Sequence, residues 1–380
     1  MISIVTYADL GTKRNLKTPQ AQYLINVFKQ KNELSQVICR RVGWGDSVDA
    51  ESALPSSVYW VLGGLQKILG DRFSKRFYEE KVFDYFAARK LKKTNVVFFH
   101  PARFQNTVQK ANELGCVTIG FGTRAHHEFN NSLYNNELIH NNIYSEKEMT
   151  DIKIDNYNVF DYLIAYSDFA KKTYIANGFP KDKIFIANPD IDTDRFISKI
   201  KSESNNFTVI FPASSIGILK GLQYLIDAWQ KINLPNAKLI ILGKRKGWPK
   251  DIDRKISKII KENPSIEEKG VVSNPEDYFQ LADVAVYPSL SEGFGRASLE
   301  TMACGTPVIV TENSQGIVQD GETGFVLPVR DAEGIKEKLE YLYENKSKAR
   351  EMGKRAARAA RAKKPFGDVV YEIYQKIERE

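Results

Sequence analysis

The sequence predicts an α/β protein built from two layered, parallel-sheet domains, and three observations carry that prediction. Short apolar runs alternate with helical segments along the whole chain, as expected for strands buried on both faces between helices. The 380 residues are enough for two separate cores. Near the middle, a mostly polar stretch without sustained apolar periodicity, Asn188–Asn206, interrupts the alternation and reads as an interdomain linker.

In the front half the apolar runs place strands at Ile2–Ala8, Gln36–Arg41, Asn95–His100, Cys116–Gly122, Asp161–Ser167 and Lys183–Ala187. The opening Met1–Ala8 lacks a basic flank and a small-residue cleavage site, so it reads as a first strand rather than a leader. In the back half the expected strands are Phe207–Pro212, Ala237–Gly243, Lys269–Ser273, Asp283–Pro288, Pro307–Thr311 and Gly324–Pro328. A helix is expected from about Ala332 to Ala362, broken at Lys364-Pro365-Phe366-Gly367, with a last helix over Asp368–Ile377. In that last segment Val369, Val370, Ile373, Tyr374 and Ile377 follow helical spacing, which suits docking on another layer. The expected domains are 1–196, 197–364 and a terminal helix, 365–380.

Composition excludes several classes. Hydrophobic residues make up 42% and charged residues 27%, ordinary values for a globular protein. No apolar stretch reaches 18 residues, so no spanning helix is expected. Three scattered cysteines (Cys39, Cys116, Cys304) argue for a reducing, cytoplasmic location without a disulfide framework. The net charge of +8 is spread evenly: residues 1–195 carry 26 Lys and Arg against 22 Asp and Glu, the remainder 29 against 25. That is not the one-sided charge of a nucleic-acid binder. The histidines and cysteines show no metal-ligand spacing, so no metal is expected; Asp190-Ile-Asp192 and Asp192-Thr-Asp194 only mimic a metal-binding Asp-x-Asp.

The most informative segment runs from Pro288 to Pro307. A buried strand leads into a glycine-broken loop, Ser291-Glu292-Gly293-Phe294-Gly295, then a helix ending at Gly305. The first amides of that helix, with its dipole, favour a diphosphate. Glu292 and Glu300, eight positions apart, flank the anion site. Carboxylates beside a diphosphate are useful when the ligand also offers hydroxyls, which describes a nucleotide sugar. Glu300 would take ribose hydroxyls and Glu292 hexose hydroxyls.

This block, with the Cys304-Gly-Thr-Pro-Val-Ile-Val310 stretch after it, resembles the Glu-Gly-Phe-Gly…Glu signature of glycosyltransferase family 4, retaining enzymes of the GT-B fold. The resemblance implies two Rossmann-like domains with parallel sheets facing across a cleft, and a C-terminal helix crossing back to the N-terminal domain. It is strong over about 207–330 and looser in front. It also implies further donor-site residues. Lys220, just before a helix, would neutralise the diphosphate; the family's Arg or Gln five residues earlier is here Ser215, so Ser214 and Ser215 hydroxyls are the candidates for that contact. The backbones of Val271 and Val272 would meet the base, and Gly243 would border the next loop, whose Lys244 and Arg245 read equally as phosphate-facing or solvated. In the front half Gly122-Thr-Arg-Ala-His-His-Glu-Phe-Asn-Asn131 is similar to an Arg-Gly-Ser-x-His-x-x-Phe-Gln pattern. Its histidine, which faces the donor sugar in that branch, falls on His126; the motif's arginine place is Gly122. Arg124 and His127 are weaker candidates, as are Gly11 and Lys13 in the loop after the first strand.

The resemblance implies a metal-independent retaining enzyme, without a cofactor, that moves a hexose from a nucleoside-diphosphate sugar to a hydroxyl of a glycan, glycolipid or lipid-linked saccharide. Glu292, His126 and Lys220 would carry the chemistry. Two rivals stay open: a nucleotide-sugar epimerase or hydrolase on the same fold, and a non-catalytic sugar-nucleotide-binding subunit. The segment Arg72–Lys93, mixing cations and aromatics, reads either as a helix packed on its aromatic side or as peripheral contact with an anionic membrane.

Overall fold

The structure, a computed structural model, describes residues 1–10, 19–42, 50–69, 74–140, 157–199 and 205–379. Gly11 and Lys13, and the start of the Arg72–Lys93 segment, lie outside the described residues. In chain order the elements are β1 (Ile2–Leu10), α1 (Pro19–Gln30), β2 (Leu34–Val42), β3 (Glu51–Ser52), α2 (Ser56–Leu69), α3 (Lys75–Lys90), β4 (Val96–His100), α4 (Gln105–Glu113), β5 (Val117–Gly122), α5 (His127–His140), β6 (Tyr162–Ala165), α6 (Asp168–Ala176) and β7 (Ile184–Ile186). There follow β8 (Phe207–Ile216), α7 (Leu222–Trp229), β9 (Ala237–Arg245), α8 (Lys250–Glu262), β10 (Ile266–Gly270), α9 (Pro275–Leu281), β11 (Val284–Tyr287), α10 (Arg296–Ala303), β12 (Val308–Thr311), β13 (Gly324–Leu327), α11 (Ala332–Glu344), α12 (Lys346–Ala362) and α13 (Phe366–Ile377).

The chain forms two units. The first comprises Met1–His127, Thr150–Asp190 and Lys364–Glu380. Its seven-stranded sheet, order β3-β2-β1-β4-β5-β6-β7, is parallel throughout. The apolar runs are explained by burial: every residue of β4 is covered, and Val97, Phe99, Leu163 and Ile184 join one core with Phe83 and Tyr174. The last helix, α13, packs on this unit. Tyr374 meets Phe28 edge-on at 5.2 Å between ring centroids, and Phe366 packs against Phe121 at 5.7 Å. Asp190 caps that helix, its carboxylate accepting the Phe366 N–H at 2.8 Å, so the first residue of the Asp190-Ile-Asp192 pattern has a structural task.

The second unit comprises Glu128–Met149 and Ile191–Lys363. Its six-stranded sheet, order β10-β9-β8-β11-β12-β13, is also parallel. It includes most of α5, which a boundary at residue 196 assigns to the front domain. Leu138 joins Phe211, Leu222, Leu225 and Val286 in this unit's core, and Glu137 beside it is fully buried.

Several expected elements shift. β8 runs on to Ile216 past an irregularity between Pro212 and Ser215, where its pairing with β9 resumes; a proline lacks the donor that an unbroken ladder needs. β10 lies at Ile266–Gly270 rather than at Lys269–Ser273, because an edge strand can carry the polar Glu267, Glu268 and Lys269. The expected helix over 332–362 is two helices meeting at Asn345.

Buried at the end of β4, His100 places Nε2 2.7 Å from the Tyr166 hydroxyl. Burial pushes its pKa down from 6.5 to about 4. The unfolded chain therefore takes a proton near pH 6.5 that the folded chain refuses until about pH 4. Stability is complete above pH 6.5 and falls as pH drops through that window, by about 3 kcal/mol at its lower end. Thermal melting at pH 7 and pH 4.5 should show this fall, and His100→Gln should reduce it.

Candidate functional site

In the second sheet the strand order reverses between β8 and β11, and loops leaving such a pair at their carboxyl ends open a ligand crevice. Lys220 follows β8 and Glu292 follows β11. The two side chains form an ion pair, and Ser289 Oγ donates to the same Glu292 oxygen at 3.2 Å. Both partners keep contact with solvent, Lys220 at 33% and Glu292 at 18% side-chain exposure, so a ligand can reach them.

The backbone that presents this pair is tightly specified. After β8 a single 3₁₀ turn, Ile218–Lys220, ends at Gly221 with φ 74°. A Cβ there would stand 1.9 Å from the Pro288 carbonyl oxygen, so only glycine lets α7 start this close to the end of β11. Leu290 N–H donates to the Leu219 carbonyl at 2.8 Å and ties the two loops together. From the end of β12 and the turn after it, Thr311 Oγ1 donates to the Ser289 carbonyl and Asn313 Nδ2 to the Leu290 carbonyl, the latter at 2.7 Å. These two supports were not foreseen; their only trace in the sequence is a polar Thr-Glu-Asn-Ser cluster after a strand.

Helix α10 begins at Gly295, φ 85°. The Ser298 N–H bonds to the Gly295 carbonyl at 2.9 Å, so the amides of Arg296 and Ala297 are those an α-helix leaves without an intrahelical partner. Amides of this kind at a helix start can meet an anion. The Phe294 side chain between them and Glu292 is buried. Glu300 sits on the next turn, 3.2 Å from Arg296 Nε. Burial raises its pKa above the ordinary carboxyl value, against the pull of Arg296 and Arg195. Arg195 itself donates to the Ser273 carbonyl at 3.0 Å and to Glu276 at 2.7 Å. It thus ties the end of the loop holding Val271 and Val272 to α9, and its charge also acts on Glu300. Arg195 was not singled out as a site residue; its one trace in the sequence is the Arg195-Phe196 pair that follows the aspartates of the linker.

The remaining expected residues take varied places. Ser214 and Ser215 are exposed on the extension of β8, in a strand rather than the expected loop. Gly243, φ 122°, would place a Cβ 1.6 Å from the Ala213 carbonyl oxygen, so β9 needs glycine there to pass the irregularity in β8. Val271 is exposed and follows β10 directly. Arg245 is engaged structurally, by Asp253 at 2.7 Å, Ser257 at 2.8 Å and Glu268.

His126 belongs to the first unit. It is buried, its N–H donates to Thr173 Oγ1 at 2.9 Å, and its ring meets Tyr174 edge-on at 5.5 Å and His127 at 4.5 Å. Gly122 stands at the place of the motif's arginine because a Cβ would come within 2.7 Å of the Tyr174 ring. Arg124 is exposed, and its carbonyl accepts from Tyr174.

The chain has the GT-B architecture of two Rossmann-like, parallel-sheet domains. Solved structures of that fold align with it from end to end. One is Anabaena HepE in complex with UDP and glucose (14% identity, all of both chains, TM-score 0.67); another is the sucrose-phosphate synthase of Thermosynechococcus elongatus (16% identity, 100% of this chain and 99% of the other, TM-score 0.66). Residues 191–359 match the family model described as glycosyl transferases group 1. The chain is 30% identical over 202 residues to a D-inositol 3-phosphate glycosyltransferase of Paenarthrobacter aurescens (47% of this chain, 48% of the relative). It is 31% identical over 161 residues to the capsular polysaccharide biosynthesis glycosyltransferase CapM of Staphylococcus aureus (41% and 42%). The chain spans about half the length of the curated relatives it matches.

Proposed function

We propose that the protein is a retaining, metal-independent hexosyltransferase of glycosyltransferase family 4, using a nucleoside-diphosphate sugar and an acceptor hydroxyl on a saccharide or lipid-linked saccharide. The observation that carries this reading is the Lys220–Glu292 pair at the sheet's reversal point, beside the start of α10 with Glu300 one turn on. A diphosphate arriving at Lys220 would take the place of the Glu292 carboxylate. Glu292 would then be released to accept from sugar hydroxyls, while Glu300 accepts from ribose. The names of the similar proteins, among them glycosyltransferases and a UDP complex, favour the same class.

In the transfer we propose, the bond from the anomeric carbon to the diphosphate breaks with its electron pair going to phosphate oxygen. The acceptor oxygen bonds on the same face, and its proton passes to that phosphate oxygen. Lys220 and the α10 amides hold the charge that develops, a preorganised electrostatic contribution. His126 remains in the proposal as a group acting in transfer, on the resemblance alone.

The test is a thermal-shift screen with UDP-, GDP- and ADP-sugars. A ligand at a hundred times its Kd stabilises the folded state by about 2.7 kcal/mol, so one donor should raise Tm and Lys220→Ala should abolish the rise. Absence of any rise would refute the donor site. Incubation with that donor in EDTA, with and without acceptor, then separates the classes. A retained-anomer glycoside supports transfer, whereas free or epimerised sugar made without acceptor supports the epimerase or hydrolase.

A further inference from the structure

Single exposed hydrophobic side chains are normal, but several on one helix are not. On α2 the solvent side carries Trp60 (76% exposed), Val61 (62%), Leu65, Ile68 (80%) and Leu69, while Leu62 alone is buried. The sequence of this helix contains no acidic residue. Its neighbour α3 is joined to it by Lys75, whose N–H donates to Gln66 and whose ammonium lies 3.7 Å above the Tyr59 ring.

α3 completes the pattern, because all three of its carboxylates turn inward. Glu79 accepts from the Tyr7 hydroxyl, Glu80 pairs with Arg103 at 2.8 Å, and Asp84 accepts the Thr107 N–H at 2.9 Å. The exposed positions of the helix are Arg76, Phe77, Tyr78, Lys81, Tyr85 and Arg89. The outward face of the pair is therefore apolar and aromatic in the middle, cationic around it, and free of outward carboxylates from either helix.

We infer that the outward face of α2 and α3 is a docking surface for an anionic phospholipid bilayer, with Trp60 and Ile68 entering the acyl boundary and Lys81 and Arg89 meeting headgroup phosphates. Charge decides the occupant. In a self-complementary contact between two copies, these like charges would face one another. Anionic headgroups are complementary to them, and Trp and Tyr beside cations are the side chains that the membrane interface favours. Among the described residues no helix is long and apolar enough to cross a membrane, so the contact lies on the surface. This inference concerns the first unit and does not depend on the donor reading.

The test is flotation of the full chain with vesicles of equal parts phosphatidylglycerol and phosphatidylcholine, beside vesicles of phosphatidylcholine alone. Each cation near an anionic surface adds about fivefold to binding. Lys81→Glu/Arg89→Glu should therefore weaken flotation with anionic vesicles at least about 25-fold, and high salt should weaken the wild type. Trp60→Ser/Ile68→Ser should lose at least about tenfold, the side chains being apolar area withdrawn from water. Unchanged melting curves will show that these exposed replacements leave the fold intact. The inference is overturned if the wild type stays unbound with anionic vesicles, or if either double variant floats like the wild type. It is also overturned if the wild type sediments as a dimer that the Trp60/Ile68 variant dissociates without any vesicle binding.

Discussion

Replacing Lys220 by Ala should lower turnover by about 100-fold or more, the loss that follows removal of one preorganised donor to developing charge. The ammonium would be the only full positive charge contributed by the turn between β8 and α7, with Gly221 setting its approach. Glu292→Ala should cost a comparable factor through the sugar hydroxyls. Because both side chains would act on one transition state, the double variant should be little worse than the poorer single one, as expected for groups that act as a unit. Stability should hardly move, since a partly exposed ion pair contributes about 0–1 kcal/mol. Steady-state kinetics with the donor that raises Tm measures all three variants. Near wild-type transfer by both single variants would remove the pair from the chemistry.

The second large effect is expected at Glu137. This carboxylate is wholly buried on α5 and accepts from the Tyr224 hydroxyl at 2.6 Å, Gln223 Nε2 at 2.8 Å and Arg330 Nε at 3.0 Å. Burial and the Glu137 charge raise the pKa of Tyr224 above its ordinary value, which keeps the hydroxyl protonated as a donor. Glu137→Ala strips an acceptor from buried donors and should destabilise the second unit by about 3–5 kcal/mol. Glu137→Gln keeps the shape and one acceptor oxygen, so it should cost less. The position also reaches the candidate site. Gln223 donates a second bond to the Ile218 carbonyl, in the turn that ends at Lys220, and Asn130 on the same helix accepts from Ser291 Oγ at 2.6 Å, next to Glu292. Helix α5 thus braces both loops, and the Gln variant should lower donor affinity along with Tm. Melting of Glu137→Ala near the wild-type temperature would rule the brace out.

Part of the candidate site is written in local sequence. The Glu292-Gly-Phe-Gly295 loop, Glu300 and Lys220 are local signals: residue type, spacing, and position after a buried strand. The supports were not legible, because each joins segments far apart in the chain. Thr311 and Asn313 hold the Ser289–Leu290 backbone, Arg195 connects to Glu276, and α5 packs with β8 and α7. Polar β10 was displaced for a related reason: apolar runs mark central strands well and edge strands poorly. For α2 the sequence does not say which side meets solvent, since apolar residues fall on both sides of the helix.

By itself the sequence determined the alternation of strands and helices, the two-core organisation and the glycine-broken loop that opens α10. Those features depend on neighbours a few residues apart, through periodicity and the special backbone angles of glycine. Tertiary structure alone decided that β8 and β11 lie side by side, which brings Lys220 to Glu292. It also decided that a helix from the front of the chain completes the second core, and that α3 turns its acids inward. These outcomes rest on contacts between distant segments, where burial and the pairing of charges override what any local pattern encodes.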